Sequence, residues 1–138
     1  MVNKMLTNFA FEGNVGIRFE GKHFDLHSFY SLEGFVVNPA SGTVLLKFSS
    51  IKEFRDKVHD VQMLTLEFSE ITYLEFSPKF CTNTTDSLEE IGFKSPDDRD
   101  DNWLKNLEQS EPDDHLFVRL SSLEFFRVRC SAIRVIVH

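Results

Sequence analysis

The chain has 138 residues, 41% of them hydrophobic and 27% charged, with a formal net charge of −7. One domain, residues 1–138, fits that length, and a composition able to bury a core excludes wholesale disorder. The acidic balance removes the basic footprint that sequence-independent nucleic-acid binding needs, and no apolar run approaches the roughly 18 residues of a membrane-spanning helix.

The start, Met1 to Phe11, shows no basic stretch followed by an apolar one. The two cysteines, Cys81 and Cys130, are too few for a disulfide framework, so a cytoplasmic protein with reduced thiols is expected. Fifteen Phe stand against one Trp and two Tyr. Phe carries a large apolar area with no polar tip to satisfy, which suits the interior of a β-rich core.

In chain order, Met5, Thr7, Phe9 and Phe11 alternate with more polar neighbours, and Gly13-Asn14 offers a turn. Val15, Ile17 and Phe19 repeat the period of two that marks a half-buried strand. A longer β-prone run from Phe29 to Val37 ends at Asn38-Pro39-Ala40-Ser41-Gly42, where Pro presets a turn dihedral and Gly tolerates positive φ. Thr43 to Ser49 is its return strand, with Val44, Leu46 and Phe48 on one face. From Ser50 to Asp60 the period changes: Ser50 and Glu53 have capping-box spacing, and Ile51, Phe54, Val58 and Val61 recur at helical intervals. Strand patterning returns at Leu64, Leu66 and Phe68 and again at Leu74 and Phe76, with a bend near Ser69-Glu70.

Residues 79–114 read as an irregular acidic insertion. Asp86-Ser87-Leu88-Glu89 has capping-box character with Gly92 as a helix stop, and Asp101 or Asn102 is placed to cap a short helix burying Trp103, Leu104 and Leu107. From Asp86 to Asp114, eleven acidic residues face three basic ones, while eleven acidic and twelve basic residues make up the rest. The body is near neutral and the excess charge sits in one segment. Leu116–Leu120, Leu123–Cys130 and Ala132–Val137 close the chain as three strand-like runs. About eight strands with two or three short helices predict a mainly antiparallel α+β domain, either a barrel or a sandwich. A parallel sheet would need helical crossovers that only Ser50 to Val61 could supply.

Two clusters could carry function. His23, Asp25 and His27 would share a strand face, and two imidazoles with a carboxylate are ligands of a zinc-type or facial-triad site, which makes a metal-dependent or small-ligand enzyme one reading. Asp97, Asp98, Asp100 and Asp101, beside Trp103, lack the EF-hand spacing for calcium. They instead fit a surface that steers and anchors a basic protein partner. Arg127 and Arg129, if on one face, form a small basic stripe that could bind an anion or, more ordinarily, face solvent and pair with carboxylates, of which the acidic segment offers many. No nucleophile motif, Gly-rich phosphate loop or cofactor signature occurs, and no cofactor is expected.

Phe24-Asp25-Leu26-His27-Ser28, followed by the hairpin strand Thr43-Val44-Leu45-Leu46-Lys47-Phe48, resembles the opening of small bacterial β-rich domains of unassigned function, including immunity proteins of polymorphic toxin systems. Asp86 to Phe93 is similar to a short acidic-plus-Gly segment of such domains, although Asp25 here precedes His27 rather than following it directly. The resemblance implies a non-enzymatic module that masks a basic partner, and it transfers no site. A homodimer assembled through free strand edges or a Phe-rich face is the remaining expectation.

Overall fold

A computed structural model describes residues 5–83, 85–100 and 103–138. Among these residues nine strands form two antiparallel sheets. β1 (Ala10–Glu12), β2 (Gly16–Phe19) and β3 (Lys22–Asp25) make a small three-stranded sheet, followed by the single-turn helix α1 (Leu26–Phe29). β4 (Tyr30–Asn38), β5 (Thr43–Ser50), β6 (Met63–Phe76), β7 (Leu88–Lys94), β8 (His115–Leu120) and β9 (Phe125–Val137) form a six-stranded sheet in the order β4-β5-β6-β9-β8-β7. This mainly antiparallel β architecture matches the expected class, with the large sheet curled into a half-barrel.

The curl comes from the two longest strands. β6 and β9 pair along nearly their whole length, from Leu64↔Val137 to Phe76↔Phe126, with a bulge between Ile71 and Tyr73. A bulge raises local twist and bends a ribbon, and Glu70 beside it takes φ of 54°, so the bend expected at Ser69-Glu70 is present. β5 pairs only with the first half of β6, and β8 only with the first half of β9. Each end of the ribbon therefore carries its own wing. Leu46, Phe48, Leu64, Leu66, Phe68, Phe126 and Val128 fill the concave side with no exposure. Phe35 meets Phe76, Phe80 and Phe126 edge-on at 5.0–5.7 Å, the geometry aromatic quadrupoles favour.

The two ends of the curled sheet meet where the Leu32 amide donates to the Asp86 carbonyl at 2.8 Å. The strand edges are closed by side chains as well as backbone. Asn8 donates to the Val135 carbonyl and accepts from its amide at 3.0 and 2.9 Å, standing in for a neighbouring strand. On β7, Ile91 exchanges bonds with Asn14, and Phe93 with Lys105. Covering an edge in this way removes a template for unwanted pairing.

Several local expectations are corrected. Ser50 does not cap a helix: it ends β5, its amide bonding Gln62 and that of Ile51 bonding Phe29, so the backbone is already committed to the sheet. The chain then forms a 3-10 segment, Lys52–Lys57, interrupted at Phe54, and of the four apolar positions only Val58 is fully buried. The Asp86–Glu89 capping box gives way to strand β7, which makes the acidic segment less irregular than its composition implied. The Asp86 carboxylate instead accepts from the Ser87 amide and from both the amide and hydroxyl of Ser122 in the β8–β9 turn. Gly92 is a point of close approach rather than a helix stop, since a Cβ there would lie 2.6 Å from both Asn14 Nδ2 and the Lys105 carbonyl. The two final runs are one continuous strand, β9, because β6 is long enough to pair with both.

A charged strap on the convex face of the sheet

Beyond the bend, the convex face of the large sheet is polar. Cross-strand register places Lys94 opposite His115, Phe117 opposite Arg127, Arg127 opposite Glu75, and Arg129 opposite Tyr73. The same alternation that sends Phe126, Val128 and Leu116 into the core projects these residues outward. They remain largely shielded, because after Lys94 the chain turns back over them: Arg127 and Lys94 are each 2% exposed and His115 6%.

Two buried cations hold this crossing segment by its backbone. Arg127 donates to the carbonyls of Asp98 at 2.7 Å, Ser95 at 2.8 Å and Pro96 at 3.2 Å, and its Nε donates to His115 Nδ1 at 2.9 Å. Lys94 Nζ donates to the Trp103 carbonyl at 2.7 Å and to Asp98 Oδ2 at 3.4 Å, and lies 6.0 Å from the Phe117 ring centre. Removing such cations from water is expensive unless their donors are satisfied, and here the strap's carbonyls satisfy them. Burial, then the charge of Arg99, presses the Arg127 guanidinium below its ordinary value.

A second fastening runs through the loop's own arginine. Arg99 forks onto Glu75 at 2.7 and 2.9 Å and reaches the Tyr73 hydroxyl at 3.5 Å, while that hydroxyl donates to Glu75 at 2.7 Å. Hydrogen bonds from Arg99, then Tyr73, hold the Glu75 carboxyl below its usual range. The Asp98 carboxyl is held low chiefly by the Asp100 amide, with Lys94 assisting. A cleft of about 300 Å³ opens beside this fastening, lined by Glu75, Arg99, Asp100, Phe117, Phe125 and Arg127.

His115 completes the cluster. Its ring stacks on Tyr73 at 4.5 Å. A guanidinium only donates, so Nδ1 must present its lone pair to Arg127 and the imidazole is neutral, protonated at Nε2. Burial first, then Arg127, Arg129 and Arg99, hold it below the ordinary value of 6.5.

Of the sequence-derived partner-binding residues, Asp97 and Asp100 are exposed and Trp103 is 60% exposed, whereas Asp98 is partly turned to Lys94; Asp101 lies outside the described residues. Trp103 is not in a helix and not buried, a correction, although Leu104 beside it is. Other carboxylates of the segment are matched internally: Asp114 with Lys105 at 2.6 Å, Asp113 with Arg129 at 3.0 Å and Glu90 with Arg119 at 2.8 Å.

His23, Asp25 and His27 diverge. β3 stops at Asp25, so strand alternation ends two residues short of His27. His23 donates to Glu12 at 2.7 Å, Asp25 caps α1 by accepting from the Ser28 amide at 2.9 Å, and His27 Nδ1 donates to the Leu88 carbonyl at 2.6 Å. Among the described residues no group of three His, Cys, Asp or Glu is placed to hold a metal ion. The thiol of Cys130 is pushed up to about 12 by burial, and that of Cys81 upward by burial and then Asp86, so neither is an activated nucleophile. Among the described residues no helix is long and apolar enough to cross a membrane.

Sequence reading passed over Lys94, His115, Tyr73 and Glu75. Their signal was present as polar residues at alternate positions of strands whose other positions are apolar, as in Tyr73-Leu74-Glu75-Phe76 and Phe126-Arg127-Val128-Arg129. Comparison with protein-family models, curated proteins and solved structures finds no match for the chain.

Proposed function

We propose that this chain is a non-enzymatic protein-binding module that captures a basic partner on the face formed by Asp97, Asp100 and Trp103. The observation that carries the reading is the division of labour in the strap. Its backbone is held from beneath by Arg127 and Lys94, while Asp97, Asp100 and the sole Trp are exposed residues. A segment already held in place loses less conformational entropy on binding, Trp is among the residues enriched as interface anchors, and carboxylates beside it raise the encounter rate with a cation-rich surface. The resemblance to toxin-masking immunity proteins favours the same reading, with capture serving to cover the partner's basic surface.

The test replaces Asp97 and Asp100 by Asn and Trp103 by Ala together, sparing Asp98 because it bonds Lys94. Captured from native lysate, a basic protein should stay on the wild-type chain at low salt, leave at high salt, and bind the variant about tenfold or more weakly. Equal retention by the two chains rules the reading out.

A further inference from the structure

We infer that His115 is a proton-operated latch: a proton added to Nδ1 breaks its bond to Arg127 and frees the strap that carries Asp97, Asp100 and Trp103. As a control on partner capture this rests on the function proposed above; as a property of the fold it stands on the geometry alone.

The bond at 2.9 Å exists only while Nδ1 keeps its lone pair. Protonation sets N–H against N–H and charge against charge where both groups are nearly excluded from water. Arg127 cannot relieve the conflict by losing its own proton. Its side chain must move, and the carbonyls of Ser95, Pro96 and Asp98 are held by that side chain. Among the described residues, the carboxylates around the new charge are already engaged. From β9 it faces Arg127 and Arg129, from β7 its register partner Lys94, from the strap Arg99 and Asp98, and from β6 the stacked Tyr73 and, beyond it, Glu75. Asp113 and Asp114 precede it in the chain. Each of these carboxylates is already matched by a cation: Asp98 by Lys94, Glu75 by Arg99, Asp113 by Arg129 and Asp114 by Lys105. The balance of these influences holds the imidazole below 6.5. An unfolded or released chain therefore takes the proton first, and the locked state weakens as pH falls below 6.5 toward the folded value.

Trp103 is the sole Trp, and its carbonyl is a strap anchor, so its emission reports the latch. With the full chain, acidification from about pH 8 to about pH 5 should shift that emission with a one-proton midpoint below 6.5, while far-UV circular dichroism stays constant. His115→Gln keeps an acceptor for Arg127 but cannot titrate, and should abolish the shift. A shift that persists in this variant, or a wild-type chain showing none before its far-UV signal collapses, overturns the latch. If the variant does not fold, NMR of the wild-type chain decides: the His115 imidazole and the Trp103 indole must titrate with one midpoint, and two separate midpoints overturn it. Decalysine binding separates the latch from its use. About tenfold weaker wild-type binding at the acidic end, absent in His115→Gln, supports control of capture. A latch that passes the fluorescence test without decalysine binding at either pH defeats the capture reading alone.

Discussion

Arg134 and Arg127 lie on the same strand, each between two buried apolar residues, and each stands opposite a glutamate of β6, Glu67 and Glu75 respectively. Their fates are opposite. Arg134 bonds its Glu67 at 3.1 Å with the side chain 57% exposed, an ordinary surface pair. Arg127 is 2% exposed, bonds no carboxylate among the described residues, and spends its donors on three strap carbonyls and an imidazole. Its cross-strand Glu75 has been taken by Arg99 from the strap itself. Equivalent register thus yields two different interactions, and the difference lies in whether the strap crosses over the arginine. At the uncovered end a pair in water contributes little; at the covered end the arginine organises backbone.

The largest expected effect comes from removing the organising arginine. Arg127→Met should cost about 3 kcal/mol in urea unfolding, because three carbonyls and His115 Nδ1 lose their donor in a shielded site. A loss under about 1 kcal/mol would break the comparison by showing that the covered end behaves like the exposed one. Glu75→Gln should cost less, about 1 kcal/mol, since the Arg99 fork is partly in water. Its pH dependence is signed. The Glu75 carboxyl is held below 4.5 in the folded chain, so its contribution is full above 4.5 and fades as pH falls through the lower folded value. The variant should lack that acid-side loss. Arg134→Ala should change stability least, by under about 0.5 kcal/mol, and high salt should erase even that difference.

The alternation of Val44, Leu46 and Phe48, or of Ile133, Val135 and Val137, needed no partner to be recognised, because a strand's period of two is a local property. The hairpin at Asn38–Gly42 was legible for the same reason. The capping boxes at Ser50 and Asp86 misled, because the short polar side chains that cap helices also serve turns and cross-chain contacts, and the competing sheet bonds come from residues far along the chain. The His23–His27 cluster misled because its spacing means convergence only while the strand continues, and β3 ends at Asp25. Charge drew attention to the acidic segment, but the cations beneath it could not be read from it. Lys94 looked like one minor basic residue among eleven acids, and Arg127 like part of a solvent-facing stripe.

From sequence alone, hydrophobic period and turn chemistry determined a mainly antiparallel β chain and set its excess negative charge in one segment, since both follow from neighbours a few residues apart. Tertiary structure alone decided that this segment folds back over its own sheet, that Lys94 and Arg127 are buried beneath it, and that His115 must stay neutral there. Burial and charge matching depend on which distant residues share a surface, here 94 with 115 and 98 with 127, and no local pattern specifies that pairing.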